Sequence, residues 1–237
     1  MFGRENGGFF AAWQDGNIPF PGVNFLYQQY DNFGSATTAP IIYDVIRNFD
    51  SIRSEKLVES PNGQIAVAYT LNRDAFGDFA NFKLYSASGT LLSHNNFGGS
   101  PFASSAQTLV QDLVALSNDN FALVTSKREF GSDPATTSLH IIDNNGVFLS
   151  TQVLLEGEVE YVLTPLPLSN GGFLASSFDG STSSAIHFDN LGNQVGSPIS
   201  LPLEAPSQFN SNGDAASITV NPDGDGDGIF LNLFSAN

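Results

Sequence analysis

Cysteine is absent from the 237-residue sequence, which excludes a disulfide framework and any thiolate metal or catalytic site. The chain also has a single tryptophan and a single methionine, and only 14% of its residues are charged. No apolar run approaches the ~20 residues that a membrane-spanning helix requires. We therefore expect no membrane insertion.

Basic residues are scarce as well. Eight lysines and arginines stand against 24 acidic residues, which gives a formal net charge of −16. A nucleic-acid-binding protein needs clustered cations to displace the counterions of phosphates, so nucleic acid is excluded as a partner. A cation, a basic protein or a neutral ligand such as a glycan fits this charge balance.

What the sequence does contain is a repeat. A turn followed by a short apolar strand occurs at residues 5–13, 61–69, 118–124 and 170–175. With Gly8, Gly63, Asn120 and Gly172 as markers, the copies are 52 to 57 residues apart. The Asn and Gly residues supply the positive φ angles that tight hairpin turns require.

A second signature keeps the same phase. A large apolar residue stands four positions before a turn glycine at residues 30–34, 85–89, 142–146 and 188–192. These large residues, which we expect to form one core-facing column, are Tyr30, Tyr85, Ile142 and Phe188. A second column holds small residues, with Leu123 as the exception, at Ala11, Ala66 and Ala175. Small residues there would let neighbouring sheets approach closely.

Four short strands repeating every ~40–55 residues are typical of a propeller blade. The sequence thus predicts an all-β fold, a β-propeller of four to five four-stranded blades. A β-sandwich of hairpin repeats is the alternative. We expect a single propeller domain over residues 1–237, with repeats at about 1–56, 57–112, 113–160 and 161–215 and a partial repeat at 216–237.

The two ends of the chain break the pattern. The first copy lacks its leading strand, because the chain opens almost at the first turn. The last segment brings two strands, at residues 216–220 and 229–234, separated by a turn. One of them could complete the first blade, and the surplus edge strand would be a site of assembly with other copies.

The most specific local motif is the acidic turn at residues 223–228, which alternates aspartate and glycine. Three carboxylates at alternate positions match the first half of a calcium loop, and this predicts a calcium site at Asp223, Asp225 and Asp227. The late carboxylate of such loops is missing, because Leu231 and Phe234 occupy positions nine and twelve. An acidic hairpin without metal is the alternative.

Catalytic motifs are mostly missing. The three histidines, at 94, 140 and 187, are interpreted as ordinary strand residues, since His140 and His187 point to opposite faces. Propeller glycosidases need paired carboxylates across a pocket. The candidates for such a pair are Asp44, Asp112, Glu158 and Glu160.

Aromatic side chains could also serve as platforms on which sugars stack. The candidates are Trp13, Tyr27, Tyr30, Tyr69 and Phe76. The loops at residues 15–24, 71–81 and 127–138 differ in length and sequence, and variable loops on a regular scaffold are where recognition usually occurs.

Residues 7–13 together with residues 27–34 resemble repeats of large bacterial secreted and surface proteins. The acidic turn is similar to the calcium loops of integrin-like propeller repeats. The resemblance implies an acidic, cysteine-free extracellular or cell-surface protein that binds or assembles, and it transfers no catalytic residue.

From these observations we expect a non-enzymatic extracellular module for adhesion, glycan binding or self-association. Its partners would be a glycan or protein ligand, or other copies of itself through edge strands. The alternative is a propeller-type glycoside hydrolase acting on polysaccharide.

Overall fold

A computed structural model of the protein describes residues 2–4, 7–15, 22–47, 50–73, 77–97, 106–129, 132–156, 161–168, 171–178, 183–201, 208–209, 215–222 and 227–234. Every regular element in this part of the chain is a strand. No helix long and apolar enough to cross a bilayer occurs among these residues.

The strands form five antiparallel sheets in chain order. The first sheet contains β1 (Phe2–Gly3), β2 (Phe9–Asp15), β3 (Gly22–Tyr30) and β4 (Ile41–Arg47). The second contains β5 (Ser51–Glu59), β6 (Ile65–Arg73), β7 (Gly77–Tyr85) and β8 (Leu91–Phe97). The third contains β9 (Ala106–Ala115), β10 (Phe121–Glu129), β11 (Ser132–Ile142) and β12 (Phe148–Glu156). The fourth contains β13 (Tyr161–Pro167), β14 (Phe173–Phe178), β15 (Ser183–Phe188) and β16 (Ile199–Leu201), and the fifth β17 (Gln208–Phe209), β18 (Ala215–Pro222) and β19 (Asp227–Phe234).

Each four-stranded sheet is a simple meander, in which consecutive strands are neighbours. This arrangement confirms the predicted all-β fold of four-stranded repeats. The sheet boundaries differ from the repeat boundaries drawn on the sequence: the boundary after residue 56 falls inside Ser51–Glu59, which is the first strand of the second sheet. The predicted second repeat, at about 57–112, likewise includes residues 106–112, which belong to the first strand of the third sheet.

The first turn of each repeat closes with a residue at positive φ. These residues are Gly7 (76°), Gly63 (82°), Asp119 (65°) and Gly171 (94°). Each donates its backbone N–H to the carbonyl three residues earlier. Three of the four sequence markers were therefore one residue late, and Asp119 adopts a conformation that glycine has in the other copies.

Alternation along the strands lets one sheet pack on both neighbours. In β6, the buried side chains of Ile65, Val67 and Tyr69 face the first sheet, whereas Ala66 and Ala68 face the third. A two-layer sandwich would bury one face of each sheet and leave the other to solvent. The serial stacking of sheets through both faces is instead the packing of propeller blades.

The two predicted columns had different outcomes. Tyr85, Ile142 and Phe188 all pack against the preceding sheet, which confirms three of the four members of the column of large residues. Tyr30 is only half-buried and stacks on Phe9. The column of small residues was wrong, because Ala66 faces the following sheet and Ala175 faces the preceding one. Since side chains alternate along a strand, a one-residue error in register exchanges the two faces.

Glycine at the second turn permits contact between sheets. An added Cβ at Gly89 would lie 2.4 Å from Ile41 of the first sheet, and one at Gly146 would lie 2.3 Å from Ser93 of the second. Both glycines also have φ near +80°. The turn of one sheet therefore packs directly on the outer strand of the sheet before it.

The ends of the chain differ from the prediction. The leading strand of the first sheet is present as the two-residue strand β1, which pairs with β2. The fifth sheet has three strands, and β19 pairs with β18. Among the described residues, no strand of the fifth sheet pairs with the first sheet.

Candidate functional site

An open groove lies between the first and second sheets. It has a volume of about 550 Å³ and is lined by Ala12, Trp13, Gln14, Phe25, Ile52, Arg53, Ser54 and Glu55. These residues come from the end of β2, the start of β3 and the start of β5. In an antiparallel meander these strand ends lie opposite the tight turns, where the longer connections run. Its volume falls within the ~300–1,000 Å³ typical of small-ligand sites.

A β-bulge in β5 shapes one wall of the groove. The pairing of β5 with β6 shifts between Arg53 and Lys56, and Ser54 has a φ of +51°. In a regular strand, successive side chains point to opposite faces. Here Ser54 and Glu55 together oppose the single residue Tyr69 and both line the groove, whereas Arg53 pairs with Thr70 on the other face. Bulges are common next to binding sites because they redirect side chains in this way.

Trp13 lies on the other wall. It is the single tryptophan of the protein, and 36% of its surface is exposed. The other large aromatic residues between the first two sheets are buried. In the regular pairing of β2 with β3, the Trp13 side chain lies on the opposite face of the sheet from Ala12 and Gln14, so Trp13 borders the groove and its indole does not point into it.

Glu55 is held in position from behind the groove. The Tyr43 hydroxyl donates a hydrogen bond of 2.6 Å to Glu55 Oε1. Burial raises the pKa of Glu55, and the hydrogen bond from Tyr43 opposes that rise. Burial is also the main cause that raises the pKa of Tyr43. Tyr43 itself is the extra residue of a bulge in β4, between Ile42 and Asp44 in the pairing with β3.

A second polar group lies deeper between the same sheets. The Lys83 ammonium donates to the Tyr43 carbonyl at 2.5 Å and lies 3.6 Å from Asp44 Oδ1. The Tyr69 hydroxyl donates to the other oxygen of Asp44, and the ammonium lies 5.5 Å from the centre of the Tyr69 ring. Burial lowers the pKa of Lys83, and the Asp44 charge opposes this.

The predicted carboxylates do not form a catalytic pair in the described part of the chain. Asp44 is engaged by Lys83 and Tyr69, as above. Asp112 forms an ion pair of 3.3 Å with Lys56 between the second and third sheets. Glu158 and Glu160 lie outside the described residues.

The predicted aromatic platforms differ in their exposure to solvent. Trp13 lines the groove, whereas Tyr27 and Tyr69 are fully buried in the core. Tyr30 is half-buried, and its ring stacks on Phe9 with centroids 4.9 Å apart. Phe76 lies outside the described residues.

The histidine side chains do not form one cluster in the described part of the chain. His140 is buried and contacts Phe97 of the second sheet with centroids 4.9 Å apart. Its two ring nitrogens lie 2.9 Å from the Thr125 hydroxyl and 3.0 Å from the Thr151 hydroxyl, and burial lowers its pKa to about 4. His94 lies near the Asn81 side chain. No group of three or more potential metal-ligating side chains occurs among the residues that the structure describes.

The side chains of the three predicted calcium ligands lie outside the part of the chain that the structure describes. Asp223 and Asp225 lie outside the described residues, and Asp227 is the first residue of β19, where only the backbone is described. The segment joins the second and third strands of the fifth sheet, whereas the sequence interpretation placed it between the first and second. The calcium site stays a prediction.

Sequence reasoning missed Arg53, Ser54 and Glu55. Their signal was present but weak: charged residues interrupt the apolar pattern at the start of a first strand. A solvated strand end would show the same pattern, so the pattern alone does not mark these residues as part of a binding site.

Comparison with known proteins now adds to the geometry. No protein-family model matches the chain, and no curated protein sequence matches it. Solved structures do. A Penicillium chrysogenum α-L-arabinanase complexed with arabinobiose has a TM-score of 0.56 at 13% identity, over 96% of this chain and 71% of that one. A protein from Lactobacillus plantarum has a TM-score of 0.51 at 12% identity, over 98% of this chain and 69% of that one.

These two similar structures are β-propeller proteins. With the stacked four-stranded meanders, the likeness assigns this chain to the β-propeller class of folds. At such low identity it shows the fold alone.

Proposed function

We propose that this protein is a non-enzymatic, extracellular carbohydrate-binding propeller that holds a glycan in the groove between its first two sheets. The observation that carries the proposal is the groove itself, whose lining combines the polar residues Gln14, Ser54 and Glu55 with the apolar residues Phe25 and Ile52. Sugars present apolar C–H faces ringed by hydroxyl groups. Polar side chains beside apolar ones offer surfaces that match both parts.

Two further features support binding rather than hydrolysis. Glu55 is the one carboxylate among the described residues that line the groove, whereas hydrolysis of a glycosidic bond generally uses two. Glu55 is also hydrogen-bonded to Tyr43, which fits a fixed acceptor for a sugar hydroxyl.

The test uses the single tryptophan. Because Trp13 is the chain's one indole, a change in tryptophan emission during titration with oligosaccharides reports directly on the groove. We expect arabino-, xylo-, galacto- or gluco-oligosaccharides to change the emission, and calorimetry to give matching affinities. Glu55→Ala should weaken binding by at least about tenfold, which is ~1.4 kcal/mol.

The matched control is Phe33→Ala, since Phe33 is 88% exposed and lies at a tight turn, away from the groove. It should bind like the unmodified protein. If calorimetry detects no oligosaccharide, or if Glu55→Ala binds normally, the proposed site is wrong.

A propeller-type glycoside hydrolase is the second candidate, favoured by the likeness to an arabinanase structure. It predicts new reducing ends when the protein is incubated with polysaccharide. That activity should disappear in Glu55→Gln. Such a result would replace the binding proposal with the enzymatic one.

A further inference from the structure

A second cavity lies at the opposite end of the interface between the first two sheets, beside the tight turns. It has a volume of about 520 Å³. Polar side chains line most of it, among them those of Arg4, Gln29, Asp31 and Glu59. The buried Tyr27 and Leu57 stand between this cavity and the groove along β3 and β5. The turn cavity, as we call it, is therefore separate from the groove.

Gln29 brings an unpaired polar group to the turn cavity. Its side chain lies on the face of β3 that meets the second sheet, because Gln29 pairs with the core residue Phe10 of β2. Only 4% of Gln29 is exposed, and its Nε2 amino group is buried without a hydrogen-bond partner among the described residues. A buried amide donor left unpaired is costly, so an acceptor from outside the chain is expected beside it.

The next two interfaces carry apolar residues at the corresponding positions. The backbone hydrogen bonds of the second turns align Gln29 with two buried core residues, Leu84 and Ile141. Those of the first turns align Glu59 with Ala115 and Pro167. Apolar residues at these positions are sufficient to hold neighbouring sheets together, so the polar residues of the first interface indicate a different role.

The charges around the turn cavity select against an anion. Arg4 donates to both oxygens of Glu59, at 2.9 Å from Nε and 2.6 Å from Nη2, and the two side chains are only 10% and 7% exposed. The guanidinium is thus neutralised, and Asp31 adds a further carboxylate to the lining. A hydroxyl group suits these surroundings better than an anion, because it accepts from an amide and donates to a carboxylate.

We propose that the turn cavity binds a neutral, polyhydroxylated ligand of the size of one sugar unit. A hydroxyl oxygen of this ligand accepts a hydrogen bond from the Gln29 amide, and other hydroxyl groups face the Glu59 carboxylate. The volume of the cavity falls within the ~300–1,000 Å³ typical of small-ligand sites. This second site does not depend on glycan binding in the groove.

The experiment is calorimetry of the full chain with D-glucose, D-galactose, D-mannose and L-arabinose, and with inorganic phosphate as the anionic probe. At least one sugar should bind, and phosphate should not. Gln29→Leu gives the first sheet the residue that the second sheet has at this position. It should weaken sugar binding at least about tenfold and raise the melting temperature, because it removes an unpaired buried amide.

Gln111→Leu is the matched control, since it makes the same substitution on the third sheet, where the Gln111 amide donates to the Ser126 hydroxyl at 2.7 Å. This variant should bind sugar like the unmodified protein, and its melting temperature should not rise.

The outcomes separate the turn cavity from the groove. Sugar binding that is lost in Gln29→Leu and kept in Glu55→Ala supports the turn cavity, whatever the groove binds. The reverse pattern assigns the sugar to the groove and overturns the turn cavity. The inference is also overturned if none of the four sugars binds, if phosphate binds more tightly than they do, or if Gln29→Leu melts at a lower temperature than the unmodified protein.

Discussion

The interface between the first and second sheets differs in chemistry from the two interfaces that follow it. The first interface contains four buried tyrosines, at positions 27, 43, 69 and 85, together with the Lys83–Asp44 pair. The interface between the second and third sheets is built from alanine, valine, leucine and phenylalanine, with one isoleucine. The third is similarly apolar. The first interface thus carries a cluster of buried tyrosines around an ion pair, whereas the second combines a wholly apolar cluster with the Lys56–Asp112 pair and His140.

This difference indicates where the repeat has been specialised. Apolar interfaces can be built from interchangeable residues of matching volume, whereas buried hydroxyl and charged groups need specific partners. The candidate groove lies at the edge of the first interface, where four tyrosines and the Lys83–Asp44 pair are found. Three predictions test the contrast between the first interface and the others.

The largest effect should come from emptying an apolar interface. Phe82 is fully buried between the second and third sheets, with its ring 5.9 Å from that of Phe121. We expect Phe82→Ala to lower the free energy of unfolding by about 3–5 kcal/mol, because it leaves a cavity. Urea unfolding measures this. Phe33→Ala removes the same side chain from an exposed position and should stay within about 0.5 kcal/mol; a loss below ~1.5 kcal/mol in Phe82→Ala would contradict the packing described.

The second effect concerns pH and the buried His140, which faces the second sheet. Its pKa is about 4 in the folded protein against 6.5 as the reference, so the unfolded chain binds the proton more readily. The stabilisation is complete above pH 6.5 and is lost as the pH falls from 6.5 toward 4. At pH 4.5 the loss should be about 2.5 kcal/mol.

The check is the difference between the unfolding free energies at pH 7 and pH 4.5. Carboxylates also titrate over this range, but they do so in a His140→Gln variant as well. The variant should therefore lose about 2.5 kcal/mol less than the unmodified protein on acidification. Equal losses would show that His140 is protonated without cost in the fold.

The smallest effect should come from the ion pair of the first interface. Lys83→Met leaves the Tyr43 carbonyl with a long hydrogen bond of 3.4 Å from the Tyr85 hydroxyl, and it leaves Asp44 without its counter-ion. Breaking a fully buried pair costs about 3–5 kcal/mol. Since the Asp44 side chain is 22% exposed and keeps the Tyr69 hydroxyl, we expect about 2 kcal/mol.

Lys56→Met is the comparison for this prediction, because the Lys56 side chain is 35% exposed in its pair with Asp112. It should cost less than about 1 kcal/mol. If the two lysine variants are equally stable, burial does not distinguish the two ion pairs, and the contrast between the interfaces fails in this respect.

The repeat could be predicted because its signals are local. Asn-Gly turns and alternating apolar residues depend on neighbours within a few positions, so the two signatures identified four copies. The register was harder to assign, because Asp119 adopts positive φ where the other copies have glycine. The first turn of the fifth copy was missed too: Asn212 and Gly213 stand between β17 and β18, where other copies carry Asn-Gly.

The candidate site could be predicted only in part. Trp13 was expected as one of five aromatic platforms, since an aromatic residue is recognisable in any sequence. The other lining residues Arg53 and Glu55 were not expected as part of the same site, because they lie about 40 residues away in the sequence and on another sheet. Nothing local to either segment states that β2 and β5 line one groove.

The sequence by itself determined that the protein is built from four-stranded β repeats with glycine-dependent turns and an acidic, cysteine-free surface. These properties follow from composition and from short-range backbone preferences. Only the tertiary structure decided which face of each strand meets which sheet, which of the candidate aromatics is accessible, and that a bulge brings Ser54 and Glu55 to the groove between the first two sheets. Burial and contact between distant strands depend on how whole sheets stack, and that is a property of the assembled chain.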